Sequence, residues 1–194
     1  MDRSSDTVRR AAHEGGHCLV ACILGITVAR ASIQTGDDID AAVRCDLSRA
    51  SRSERLWVYL SGWAGNAYMR SHDKHSKSFN VEAYVQQLRS AKDGAGSTLG
   101  VVVLGRSDMA LAMRASPIKA ILPRSTLIEI GKEIHQRRVA FYSILDALLT
   151  EYSLDEEAIS KVYNGNHITD EDRSRSRNAD LDHWTAVSAG NKSI

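Results

Sequence analysis

His13-Glu14-Gly15-Gly16-His17 is an H-E-x-x-H pentad, and its reading governs the rest of the chain. Residues four apart on a helix share a face, so both imidazoles can address one Zn²⁺ while Glu14, one step round, reaches a water beside it. The flanks predict such a helix: Asp6 is a candidate cap, small or apolar residues fill the half from Cys18 to Leu24, and Gly25 is a natural stop. Two adjacent glycines work against a helix, each by about 1 kcal/mol relative to alanine. Their place between the histidines predicts that a neighbouring helix or a substrate backbone comes close there. The plain alternative is a buried polar patch on an ordinary helix.

Ala12-His13-Glu14-Gly15-Gly16-His17-Cys18-Leu19-Val20-Ala21 resembles the active-site helix of the FtsH-type zinc metalloproteases, usually H-E-A-G-H-A followed by small and aliphatic residues. The run from Gly25 to Ile33 is similar to the short strand that leaves that helix. Leu60-Ser61-Gly62-Trp63-Ala64-Gly65-Asn66-Ala67 resembles the family's small-residue helix of L-A-G-x-A-A-E-E type. Gly15 departs from the usual alanine, and Asn66 and Ala67 stand where the family commonly has glutamates. The resemblance covers roughly the first 115 residues and fades beyond. It implies a compact, mainly helical, zincin-like metallopeptidase domain with a small β-hairpin or sheet.

A catalytic zinc normally has three protein ligands and an open position, so the pentad needs a partner. The resemblance implies an aspartate at the start of a later helix, in a pattern of S-N-D-L-x-x-A type, and Ser107-Asp108-Met109-Ala110-Leu111-Ala112 matches it from aspartate to alanine. Ser107 can cap such a helix, whose dipole favours an ionised Asp108 in its first turn. His72, Asp73 and His75 are competing ligands by chemistry, in a stretch with the composition of a solvated loop. Cys18 and Cys22 are also four apart, either as thiolate ligands or as small core residues. The expected site is therefore His13, His17 and Asp108 on Zn²⁺, with Glu14 as general base.

With 25 Lys+Arg against 24 Asp+Glu, the chain has no basic field for nucleic acid or an anionic membrane, although Arg44, Arg49, Arg52 and Arg55 cluster. No apolar run reaches the length of a membrane span, and the N-terminus meets the pentad too soon for a signal segment. Three cysteines argue for a reducing compartment, hence a cytoplasmic protein. The FtsH-type enzymes also carry a membrane anchor and an ATPase; no G-x-x-x-x-G-K-[ST] loop occurs here, so the expected substrates are unfolded or flexible polypeptides. A homo-oligomer or a separate ATPase partner remains open. The rival functions are a metal-stabilised interaction protein, closed by His72 or His75, and a helical adaptor with no metal.

Periodicity predicts short strands over Ile26–Gln34 and Ala41–Cys45 around the acidic turn Gly36-Asp37-Asp38, a candidate substrate track. Helices are expected over Ser53–Arg70 and Val81–Ala91, then a Gly-rich turn from Asp93 to Gly100 and a short strand or loop at Val101–Leu104. Pro117 and Pro123 bracket a linker, and one long helix is expected over Ser125–Tyr152. It serves as a core helix or, alternatively, as a partner-binding one. Ser153-Leu154-Asp155-Glu156 reads as a capping box for a last helix to Tyr163. The domain is thus expected over residues 1–163, with 164–194 a polar, mobile tail in which Trp184 is the one anchor candidate.

Overall fold

The computed structural model of the chain describes residues 6–34, 42–90, 111, 112, 115 and 124–165. Within them the protein is mainly helical, with one three-stranded antiparallel sheet. In chain order the elements are α1 (Asp6–Ile23), β1 (Val28–Ser32), β2 (Ala42–Cys45), α2 (Arg52–Ser71), α3 (Val81–Ser90), α4 (Arg124–Gln136), α5 (Arg138–Glu151), β3 (Ser153–Asp155) and α6 (Glu156–Gly165).

The pentad lies on α1, which is the centre of the packing. Gly15 to Ala21 are all buried, because α2 covers one side of the helix and α5 another. The two glycines do different work. A Cβ on Gly16 would overlap the Ser61 carbonyl of α2, and one on Gly65 of α2 would overlap the Ala12 carbonyl, so glycine on both helices is what lets the backbones touch. A Cβ on Gly15 would meet only Phe141 and Ile144 of α5 at 3.8 Å, ordinary contact. The expected close approach therefore holds at Gly16 and not at Gly15.

Helix α1 stops where the sequence predicts. Gly25 takes φ 65°, its N–H bonds to the Cys22 carbonyl at 3.1 Å, and the Ile26 N–H reaches the Ala21 carbonyl at 2.9 Å, a Schellman ending that turns the chain into β1. Helix α2 begins on a full capping box: the Ser51 hydroxyl accepts from the Glu54 N–H, and the Glu54 carboxylate accepts from the Ser51 N–H.

The sheet has the order β2-β1-β3. Ala31 pairs with Val43 on one side and with Leu154 on the other, which puts these apolar residues on the core face. The hairpin expected from the sequence is therefore the larger part of a three-stranded sheet, and β1 is its middle strand. The third strand replaces the capping box read at Ser153. Ser153–Asp155 is extended against β1, and Asp155 caps α6, its carboxylate accepting from the Ala158 N–H at 2.9 Å. Three residues with one buried apolar side chain, Leu154, carry no periodicity to read.

The single long helix expected over Ser125–Tyr152 is two helices. They part at Arg137, with φ −108° and ψ 30°, whose buried guanidinium pairs with Glu133 at 2.6 Å. Leu127, Ile130 and Ile134 before the break and Phe141, Leu145 and Leu148 after it are all buried, so the apolar stripe runs through it unmarked. Leu111, Ala112 and Ala115 are helical; Ala112 is in the core, and the Ala115 carbonyl accepts from Arg52 Nε at 2.8 Å. The acidic turn at residues 36–38, the Gly-rich turn, the strand at 101–104, Ser107 and Asp108, the proline-bracketed linker and the tail beyond Gly165 lie outside the described residues. Among the described residues no helix is long and apolar enough to cross a membrane.

Candidate metal centre

Helical spacing brings the two histidines together. His13 Nε2 and His17 Nε2 are 3.1 Å apart, with the rings nearly perpendicular at 82°. Zinc–nitrogen bonds of about 2.0–2.1 Å at a tetrahedral angle set two ligand nitrogens about 3.3–3.4 Å apart, so the pair is close to ligating geometry. Opposite the pair stands Gly62 of α2. A Cβ there would overlap His17 Nε2 and come within 2.7 Å of His13 Nε2, so only glycine at this position leaves room for the two facing nitrogens.

Each ring is held from behind by α2. His17 Nδ1 lies 2.6 Å from the Val58 carbonyl, which can only accept, so Nδ1 carries the proton and Nε2 presents its lone pair. Ser61 sits 3.3 Å from the same Nδ1 while donating to Val58 at 2.7 Å. His13 Nδ1 lies 3.3 Å from Asn66 Nδ2. Asn66 Oδ1 is buried and has no hydrogen-bond partner. These contacts from carbonyl, hydroxyl and amide are the kind of backing that orients imidazole ligands.

Glu14 is buried, at 6% exposure, on the same helix turn. Its charge is felt at Cys18, whose thiol is held well above the usual range, first by its hydrogen bond to Cys22, then by burial and by the charges of Cys22, Cys45 and Glu14. Cys18 is fully buried, Cys22 and Cys45 partly so, and all three are free thiols. The core reading of Cys18 fits this placement.

The competing ligands in the His72 region do not join the pair. His72 is ten residues beyond Gly62 on the axis of α2, about 15 Å at the helical rise. It is buried, which corrects its assignment to a solvated loop: Tyr68 stacks on one side at 4.7 Å and Phe79 on the other at 5.1 Å. Both ring nitrogens are engaged, Nδ1 with the Ser71 hydroxyl at 2.7 Å and Nε2 with the Asn80 N–H at 2.8 Å. Asp73 and His75 are exposed, in a turn where Asp73 accepts from the His75 N–H. Among the described residues no group of three or more His, Cys, Asp and Glu side chains gathers to hold a metal ion. Asp108 is outside that set.

In the sequence Gly62 reads only as a close-packing residue and Asn66 only as a departure from a pattern. Their sequence signal is faint: Asn66 is the one amide in a run of small and apolar residues. No protein-family model matches the chain, and no curated protein does.

Proposed function

We propose that this chain is a zinc-dependent endopeptidase of zincin type, cutting unfolded or flexible polypeptides, with His13, His17 and Asp108 as metal ligands and Glu14 as general base. The observation that carries the reading is the facing Nε2 pair, 3.1 Å apart across the clearance at Gly62, with one ring's tautomer fixed by a backbone carbonyl. Zinc, when bound, supplies Lewis acidity toward the scissile carbonyl and toward water at neutral pH. Glu14 follows His13 directly, so the helix fixes its carboxylate relative to the pair; it takes the proton of the attacking water and delivers it to the leaving amine.

An extended substrate would add to a sheet edge by backbone hydrogen bonds. Since β1 is paired on both sides, the outer edge of β2 takes the role first given to the hairpin as a whole. The three free cysteines fit a reducing, cytoplasmic setting. A separate ATPase or a ring of copies would be needed to present folded substrates.

The test is zinc content together with hydrolysis of casein. Glu14→Gln is expected to keep its zinc and its fold and to lose about 10²–10⁴-fold in rate. Wild-type protein without zinc, or a Glu14→Gln variant as fast as wild type, rejects the reading. Without ATP, a stably folded domain offered at the same concentration should survive; its digestion faster than its own unfolding would reveal an unfolding activity.

A further inference from the structure

We propose that Asn66 is the positioning residue of the centre: a half-turn of its amide selects which nitrogen of His13 carries the proton, and thereby whether Nε2 is free for a metal. The proposal rests on the reading of His13 and His17 as ligands.

It follows from the order in which the protons are fixed. His17 Nδ1–H is committed to the Val58 carbonyl, so His17 Nε2 is an acceptor only. His13 Nε2 stands 3.1 Å away. Two lone pairs facing at that distance would repel, and the contact between these two atoms is a hydrogen bond when His13 Nε2–H donates to His17 Nε2. His13 Nδ1 is then the acceptor, and it faces a donor, Asn66 Nδ2, at 3.3 Å. The contacts are mutually consistent along the whole chain from Asn66 to Val58.

A metal reverses the requirement at one ring. Both Nε2 lone pairs must point at the ion, so the His13 proton moves from Nε2 to Nδ1 with no net gain or loss. An amide nitrogen cannot accept it there. A half-turn about the Asn66 Cβ–Cγ bond exchanges the amide atoms and offers Oδ1, which is the atom now buried without a partner. A buried orphan acceptor calls for an explanation. Here it is the acceptor that the metal-bound tautomer needs. A glutamate at this place, as the resembling family commonly has, could only accept; asparagine serves both tautomers.

Nitrogen NMR of the histidine rings in the full chain tests this directly. Metal-free wild type should show His17 protonated at Nδ1 and His13 at Nε2, and zinc should move the His13 proton to Nδ1. By chelator competition, Asn66→Ala should weaken zinc binding by about 10–100-fold, the usual cost of losing an outer partner. Asn66→Asp, the same size and accepting only, should bind at least as tightly as wild type and show His13 Nδ1–H already in the metal-free state. A metal-free wild type with His13 protonated at Nδ1 overturns the switch, as does an Asn66→Ala affinity equal to wild type. A wild type that takes up no zinc overturns the metal reading and this proposal together, whereas the other two results leave the metal reading standing.

Discussion

The protein places two pairs of histidines in its interior, and they are built in opposite ways. His13 and His17 turn their Nε2 atoms toward each other at 3.1 Å, with polar groups behind each ring and a glycine in front. His72 and His135 lie with ring centroids 5.6 Å apart, packed against Tyr68 and Phe79, and their nitrogens are spent on Ser71, Asn80, Tyr68 and the backbone of Lys77. A histidine pair is thus not a ligand set by proximity. What separates the two is where the ring nitrogens point: toward each other in the first pair, and toward hydroxyl and backbone groups in the second.

The largest expected effect that could break this contrast is on zinc affinity. His17→Ala should lose more than the 10–100-fold expected of an outer partner, roughly abolishing binding, while His135→Gln leaves affinity unchanged. Chelator competition on the two variants decides it; equal losses would mean that the pairs are not different in kind.

The next effect is on acid stability and belongs to the second pair. Burial, aided by neighbouring His135 and opposed by Asp73, lowers the His72 pKa to about 4, and burial with Arg138 lowers that of His135, against a backbone bond to Lys77. The unfolded chain therefore binds more protons than the folded one below the usual histidine range. Stability should be full above about pH 6.5 and fall as pH drops toward 4, by roughly 2–3 kcal/mol from His72. Tyr142 donates to the His72 carbonyl, and Tyr68, which contacts His135, stays neutral throughout, its hydroxyl being pushed further up by burial. Denaturant midpoints across that window measure the fall, and His72→Phe should flatten it. A flat wild-type profile would refute the assignment.

The smallest effect sharpens the first pair's dependence on helix contact. Gly16→Ala must force α1 off α2 and should cost about 1–3 kcal/mol as an overpacked contact. Gly15→Ala, one residue away, should stabilise by up to about 1 kcal/mol through helix propensity. Thermal melts of the two variants should therefore shift in opposite directions.

How much of this was legible before the fold was known depends on the range of the interaction. Helix α1, its Gly25 stop and the α1 face shared by His13 and His17 are local, set by spacing and by backbone chemistry within a turn or two, and the sequence carries them. The break at Arg137 is invisible because the apolar stripe continues through it; only the buried pairing with Glu133 marks the place. His72 reads as loop because its neighbours in sequence are polar, while its packing partners, Tyr68 apart, come from elsewhere: Phe79, His135 and Tyr142. Gly62 and Asn66 acquire meaning only when α2 is laid across α1. No spacing rule links residue 13 to residue 66.

The pairing of β3 with β1 has a consequence for the order of assembly. Arg30 Nε donates to the Ser153 hydroxyl, and Arg30 stands opposite Asp155 in the register. During synthesis the strand that follows α1 must therefore wait for a partner made more than a hundred residues later, and closure over so long a loop is slow. The first 115 residues, which hold the pentad, lack α5, which covers one side of α1, and the strand that completes the sheet. Released alone, they would expose the apolar flank of the very helix that carries Glu14. The histidine pair is made first, and the helix and strand that complete its surroundings follow more than a hundred residues later.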